Sequence, residues 1–330
     1  MTFKALLLTQ QDNKTVAQFQ RLTQSDLPPG DVLVAVEYSS LNYKDALAVT
    51  GTGAIVRQFP MVPGIDLAGT VLESASPDYQ AGDKVVLTGW GVGERYWGGY
   101  SQVQRVRSEW LVPLASGLDT HRAMAIGTAG FTAMLCVTAL LDDGLKPEHG
   151  PVLVTGAAGG VGSVAVALLA KLGYNVTALT APGQEHAHGY LRQLGAASIV
   201  SGGEWLEPPR PLENQRWAAA IDSVGSQVLA RALAEVRYGG AVAACGLAGG
   251  ADLPTSVMPF ILRGVRLLGI DSVMCPTARR KQVWSSLASH LPAQALIEIT
   301  RTIALADVPR FAQEMMAGQI RGRVVVDLSK

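Results

Sequence analysis

Val152-Leu153-Val154-Thr155-Gly156-Ala157-Ala158-Gly159-Gly160-Val161-Gly162 is the stretch on which the fold turns. Its apolar opening predicts a buried strand, and the residues from Val161 to Leu172 predict a helix. Between them, Ala157-x-Gly159-x-x-Gly162 has the spacing of a dinucleotide fingerprint, with Ala in the first position. Gly159 lets backbone approach a pyrophosphate, and Gly162 lets the helix pack closely on the strand. Gly160 and Val161 open the helix, whose free N–H groups and positive dipole end favour phosphate. Glycines at this spacing are weak evidence alone; the strand before them and the helix after them supply the required context.

The neighbouring segments extend the pattern. Val176–Thr180, Ser198–Val200, Ala218–Asp222, Ala241–Cys245 and Val265–Ile270 read as further strands, making six with Val152–Thr155. Helices are predicted over Val161–Leu172, up to Leu194, and across Val228–Val236. Continuous apolar strands alternating with helices predict an α/β domain over 121–290, a doubly wound parallel sheet. Before it, Phe3–Leu8, Val32–Tyr38, Gly69–Glu73 and Val85–Thr88 read as strands broken by Pro28-Pro29-Gly30, Pro63-Gly64 and Ala81-Gly82-Asp83. After it, a strand over Ile297–Ile303, a helix over Val308–Met316 capped by Asp307, and a strand over Val324–Leu328 resemble the first part more than the second. The chain is therefore expected to return and complete a discontinuous β domain, 1–120 with 291–330.

Composition narrows the function. Of 330 residues, 48% are apolar and 16% charged, and Lys plus Arg balance Asp plus Glu at 27 each. That balance gives no electrostatic reason to expect nucleic acid or an anionic membrane as partner. No stretch reads as long and apolar enough to span a bilayer, and the run Ala5–Leu8 ends at once in Thr9-Gln10-Gln11-Asp12, so a cytoplasmic protein is expected. Cys136, Cys245 and Cys275 are too few and scattered for a disulfide framework or a thiolate zinc site, and read as core residues.

The end of the second strand bears on the cofactor. An NAD enzyme usually places an acid there to bond the ribose hydroxyls. This chain has Thr180-Ala181-Pro182-Gly183, and the first acid, Glu185, comes too late. The missing acid favours NADP, with His186 and His188 as possible helpers and no Lys or Arg before Arg192.

The longer segments Ser39-Ser-Leu-Asn42-Tyr43-Lys44-Asp45-Ala-Leu47, Pro63-Gly-Ile-Asp66-Leu-Ala-Gly69, Leu87-Thr-Gly-Trp90-Gly-Val-Gly93 and Ile126-Gly-Thr-Ala-Gly-Phe-Thr-Ala-Met134 are distinctive. So are Ala243-Ala-Cys-Gly-Leu-Ala-Gly249, Val257-Met-Pro-Phe-Ile-Leu262, Asp271-Ser-Val-Met274 and Gly322-Arg323. In this order they resemble the zinc-free quinone-oxidoreductase branch of the medium-chain dehydrogenase/reductase superfamily, and within it the acryloyl-CoA reductase (NADPH) group. The resemblance covers essentially the whole chain. It implies a GroES-like β domain plus a Rossmann domain with the active site between them, NADPH-dependent reduction of acryloyl-CoA to propanoyl-CoA, and a homodimer. It also implies that Tyr43 touches the nicotinamide, that Gly159, Gly160, Val161 and Gly162 bind phosphate, and that Thr180, Leu247, Ile261, Ser272 and Arg323 line the cofactor. One departure stands out: relatives carry Arg after the second and third strands of the sheet, where this chain has Thr180-Ala-Pro-Gly183 and Ser201-Gly-Gly203.

The residues also speak to mechanism. Asn42 and Ile65-Asp66 stand where zinc-dependent relatives need ligands, and no cysteine precedes Cys136. Without a Lewis acid, an acceptor already activated by a carbonyl, such as an enoyl thioester or a quinone, suits hydride transfer. Tyr43 is the candidate for substrate positioning and proton delivery, against the alternative of a ring that only stacks beside the nicotinamide. Lys44 and Asp45 read as a structural ion pair or as groups that orient Tyr43, Trp90, Tyr96 and Trp97 as a pocket wall or ordinary packing, and Arg279-Arg280-Lys281 as a solvated face or a contact for CoA phosphates. Three functions stay open at this point: an acryloyl-CoA reductase, a quinone or general enone reductase, and a cofactor-binding protein without turnover. The strand Val265–Ile270 offers an edge for pairing with a second copy.

Overall fold

A computed structural model describes residues 2–330. The chain opens with an antiparallel hairpin, β1 (Thr2–Gln11) and β2 (Lys14–Thr23), turned by Asp12 and Asn13 with φ of 48° and 61°. Short polar residues tolerate that left-handed turn, which matches the twist of the flanking strands. Then come β3 (Val32–Leu41), helix α1 (Tyr43–Thr50), β4 (Asp66–Ser74), β5 (Lys84–Thr88), β6 (Val103–Val106), β7 (Val112–Pro113) and the long helix α2 (Thr120–Asp142). The alternating part follows as β8 (Val152–Val154), α3 (Gly160–Lys171), β9 (Val176–Thr180), α4 (His188–Gln193), β10 (Ser198–Ser201), β11 (Trp217–Asp222), α5 (Ser226–Glu235), β12 (Val236–Ala244), α6 (Met258–Arg263) and β13 (Arg266–Gly269). The chain ends with α7 (Thr277–His290), α8 (Ala293–Ile299), β14 (Thr300–Ala304), α9 (Val308–Met316) and β15 (Arg323–Asp327).

Two compact units result. The first contains the residues up to Thr128 with Ser272–Ala288 and Thr300–Lys330; the second contains Ala129–Asp271 and Ser289–Ile299. Against the boundaries drawn from the sequence at 121 and 291, the first unit takes the start of α2 and most of α7.

In the first unit, one sheet runs β14-β15-β3-β4-β5-β7, with β6 also paired to β3. The C-terminal strand β15 lies antiparallel to β3, Val325 opposite Ser40, so the last residues close a sheet begun by the first forty. Its core gathers Leu6, Leu41, Leu67, Leu87 and Tyr100 with Phe311 and Val326 from the returning segment. In the second unit, six parallel strands run β10-β9-β8-β11-β12-β13, the order of a Rossmann sheet. Trp205, Trp217, Leu233 and Val242 pack its core, where burying each large apolar side chain contributes about 2–3 kcal/mol.

Three local readings change. Helix α2 is long and apolar enough to cross a membrane by length and composition, contrary to the reading of the sequence; 78% of its most apolar window is buried within the fold. Gly127 also breaks it, with φ 51° and ψ −162°, a conformation confined to glycine. Around Ile297 the chain is helical up to Ile299 before β14 begins, because Leu296 and Ile299 bury at helical spacing while Gln294 bonds Glu298 one turn on. Asp307 does not cap α9: its backbone is already helical (φ −84°, ψ −13°), and its exposed carboxylate accepts from Arg310 at 3.1 Å. Cys136 and Cys275 are buried and Cys245 half-buried.

A side chain at Gly127 would meet Arg323 Nη2 at 2.5 Å and Asp66 Oδ2 at 2.6 Å, besides forcing the backbone. Gly127→Ala is expected to destabilise the protein by about 2–3 kcal/mol or more in urea unfolding. A loss within experimental error would show that the break in α2 is not held in place by this crowding.

Candidate active site

The second unit carries the nucleotide-binding features. After β8, Gly156 takes φ 56°, and Gly159 stands extended before the first turn of α3. The amides of Gly160, Val161 and Gly162 are the open donors of that helix start, and no side chain caps them. A Cβ on Gly162 would fall 2.3 Å from the Gly156 carbonyl and 2.6 Å from Ala157 Cα, so only glycine lets α3 lie against the loop. A Cβ on Gly159 would meet only the Gly156 carbonyl, at 3.2 Å, which leaves that position approachable from outside. Open amides over a surface free of side chains fit the pyrophosphate of a dinucleotide.

Strand β9 lies beside this loop, and the Ala157 amide donates to Leu179 O at 3.1 Å. Thr180 ends β9, buried, with Oγ1 3.3 Å from His188 Nε2 and with Ser201 of β10 as its neighbour in register. Glu185, the first acid after β9, accepts from the Gly183 amide at 3.3 Å; bonds from its own backbone and from Gly183, with His188 and His186 nearby, hold its pKa below the usual range.

Asp222, which sequence reading took only as a strand end, is fully buried at the end of β11. Its Oδ1 accepts from Thr155 Oγ1 at 2.7 Å and its Oδ2 from the Gly225 amide at 2.8 Å. Burial raises its pKa, against the lowering effect of those bonds. It ties the outlet of β8 to that of β11, the two strands between which the chain order reverses. Its signal was an acid closing the run Trp217–Ile221. Leu247 and Ile261 are 62% and 71% exposed, unusual for large apolar side chains.

The first unit holds a buried polar cluster under α1. Tyr43 is the first residue of that helix and is 42% exposed. Asn42, just before it, donates its amide N–H to Asp45 Oδ2 at 2.9 Å. The Asn42 side chain donates to Ser40 Oγ (3.0 Å), Asp45 Oδ2 (3.1 Å) and Asp66 Oδ2 (3.0 Å), and accepts from Arg323 Nη1 at 3.0 Å. Asp45 Oδ1 accepts from the Ile65 amide at 2.9 Å. Asp66 accepts from Ser40, from the Thr128 hydroxyl and from the Thr128 amide at 2.8 Å. Arg323 donates Nε–H to Ala125 O at 3.0 Å and keeps Nη2 4.0 Å from Asp66 Oδ2. Burial first, and the Asp66 charge second, push the Asp45 pKa up to about 7. Burial also pulls Arg323 down from its ordinary value.

Several sequence-based expectations shift here. Arg323, expected along the cofactor, is only 2% exposed and belongs to this cluster. Lys44 pairs with Glu94 at 2.6 Å instead of Asp45, since adjacent helix residues point in different directions. Trp97 is a packing device, its Nε1–H donating to Pro60 O at 3.1 Å, and the Tyr96 ring leans on Trp110 at 4.7 Å. In Arg279-Arg280-Lys281, Lys281 is exposed but Arg280 is 1% exposed, neither a solvated face nor available to a phosphate. Ser272 is half-buried, and its carbonyl accepts from Arg280. Among the described residues, no three His, Cys, Asp or Glu side chains form a metal-holding group.

Comparison with known proteins agrees with these features. The family model described as "Alcohol dehydrogenase GroES-like domain" matches residues 28–116, and that described as "Zinc-binding dehydrogenase" matches 160–289. The chain is 57% identical to the "Probable acrylyl-CoA reductase AcuI" of Escherichia coli (strain K12), over 99% of this chain and 100% of that protein. It is 56% identical to the "Acrylyl-CoA reductase AcuI" of Ruegeria pomeroyi, over 99% of both chains. The crystal structure of the yhdH oxidoreductase from Salmonella enterica in complex with NADP superposes with a TM-score of 0.96 at 58% identity, covering 98% of this chain and 99% of that one. With this identity along its length, a GroES-like first part and a Rossmann sheet, the chain belongs to the acrylyl-CoA reductase family of the medium-chain dehydrogenase/reductase superfamily.

Proposed function

We propose that this protein uses NADPH to reduce the carbon–carbon double bond of acryloyl-CoA, giving propanoyl-CoA. The observation that carries this reading is the match along nearly the full chain to acrylyl-CoA reductases, with the glycine loop intact. When bound, the reduced nicotinamide supplies a hydride to the β-carbon of the acceptor. The thioester carbonyl takes up the displaced electrons, so the acceptor needs hydrogen-bond donors near its oxygen rather than a Lewis acid.

The residues of this chain divide the remaining work. The amides of Gly160, Val161 and Gly162 hold the pyrophosphate, Gly159 gives it access, and Thr180 closes the ribose end. Leu247, Ile261 and Ser272 offer surface to the rest of the cofactor. Tyr43, exposed at the start of α1, positions the acceptor and delivers the proton to its α-carbon. Arg323 acts one residue removed from Tyr43: its bond to Asn42 fixes the helix start that presents the tyrosine. The reaction is zinc-independent in this reading, because Asn42 and Asp66 are already bonded to each other and lie beside a guanidinium, which opposes a dication there.

A homodimer goes with the same function. Strand β13 ends its sheet with one edge unpaired among the described strands, and Leu267 (36%), Leu262 (54%) and Val257 (65%) are exposed around it. An open edge beside apolar side chains favours pairing with a second copy. A cytoplasmic setting belongs to this reading as well, supported by three cysteines that form no disulfide.

NADPH oxidation, followed at the nicotinamide absorbance band with acryloyl-CoA and a simple quinone in parallel and NADH as control, is expected to be fast with acryloyl-CoA and NADPH. Turnover with the quinone alone would reassign the protein to the general reductases, and silence with both would leave a binding protein. Tyr43→Phe is expected to lower kcat by about 10²-fold with NADPH affinity retained; near-normal turnover would hand the proton to water. Leu267→Lys is expected to shift the protein to monomer in sedimentation velocity, and a monomeric wild type would remove the dimer from the proposal.

A further inference from the structure

Arg280 is the largest charged side chain in the fully buried set, yet it sits in a basic run on a helix. Its guanidinium spans two chain segments far apart in sequence. Nη1 donates to Thr88 O at 2.7 Å and Thr88 Oγ1 at 3.0 Å. Nη2 donates to Ser272 O at 2.9 Å and Val273 O at 2.7 Å, and Nε to Cys275 O at 2.8 Å. The ring of Trp90 lies 4.8 Å from the guanidinium carbon, within cation–π range.

The segment that receives these bonds is under constraint. Trp90 takes φ 58°, between Gly89 at 79° and Gly91 at 78°. A bulky residue occupies that region only where its surroundings fix it, and such positions cluster at functional sites. Here the Trp90 amide donates to Val273 O at 2.9 Å. No Cβ fits at Gly89, where it would meet Arg280 Nη2 and Val273 O, both at 2.7 Å. The turn Thr88–Gly91 and the stretch Ser272–Cys275 are therefore braced against each other by the Arg280 side chain and by the bond from the Trp90 amide. Ser272 and Val273 are also the first residues of the chain to enter the first unit after β13 and Asp271.

We infer that Arg280 is a positioning residue: its guanidinium clamps Ser272–Cys275 to the Thr88–Trp90 turn and so sets Ser272 for the cofactor. This rests on the assignment of Ser272 to the cofactor surface. The clamp needs a planar fork, because the donors must reach acceptors in two separate segments at once. A lysine ammonium keeps the charge but donates from one point and cannot span them.

The test uses the full-length protein and reads NADPH binding by nucleotide fluorescence, alongside the KM for NADPH and kcat. Arg280→Lys and Arg280→Ala are expected to raise the NADPH Kd and KM at least tenfold at a temperature where circular dichroism shows both variants folded. Millimolar guanidinium should restore much of the loss in Arg280→Ala, and methylammonium should not. Lys281→Ala, at the exposed neighbour, should stay within twofold of wild type. Folded Arg280 variants with unchanged Kd and KM would overturn the clamp, as would equal rescue by both cations. If Arg280→Ala does not fold, Arg280→Lys decides alone on the same readout. Ser272→Ala separates the two layers: if it leaves Kd unchanged, the cofactor role of Ser272 fails whatever Arg280 does; if it weakens binding while the Arg280 variants do not, the clamp alone fails.

Discussion

A buried guanidinium is costly unless it is paired, and Arg323 draws its partners from most of the first unit: Nε and Nη1 are hydrogen-bonded, while Nη2 has no hydrogen bond and lies 4.0 Å from the Asp66 carboxylate. Asn42 comes from the junction of β3 and α1, Asp66 from the start of β4, Ala125 from the turn before the break in α2, and Arg323 itself from the last strand. Removing any one partner leaves a charge or an amide inside the protein without compensation, and breaking a buried pair this way typically costs about 3–5 kcal/mol. The cluster also explains local features that look unrelated. Gly127 must be glycine because the guanidinium and the Asp66 carboxylate occupy the space a side chain would need. Helix α1 begins where it does because Asp45 returns to the amide of Asn42.

The same cluster fills the positions at which zinc-dependent relatives are expected to place their ligands. The positions that would carry ligands hold an amide and a carboxylate, and both are satisfied by neighbours. Asp45, with its pKa raised to about 7, sits beside Asp66 under the influence of one arginine. Two carboxylates and one guanidinium in a dry site favour keeping a proton on one of the acids, so the cluster stays close to neutral without an added cation.

What the sequence made legible were the features with a local period or a fixed spacing. The glycine loop, the six strands of the parallel sheet and the return of the chain through its last strand all leave such marks. Features that depend on contacts between distant residues left almost none. Arg280 looks the same as Arg279 and Lys281 in a helix pattern, and its bonds to the carbonyls of Thr88, Ser272, Val273 and Cys275 are what set it apart. Arg323 follows a glycine near the end of the chain, and nothing local says that its fork turns inward to Asn42. The strand expected over Ile297–Ile303 begins as a helix because the burial of Leu296 and Ile299 outweighs the β-branched character of the run.

The position of β15 sets a temporal order as well as a spatial one. Residues 129–271 form most of the second unit and leave the ribosome as a nearly continuous block, whereas β3 waits for a partner almost 300 residues downstream. Until that strand is made, the Tyr38–Leu41 end of β3 lies open on the side not held by β4, and Asp66 has no arginine beside it. A nascent chain stalled before residue 323 would thus hold a largely assembled nucleotide-binding half joined to an unfinished sheet, the kind of exposed strand that chaperones engage.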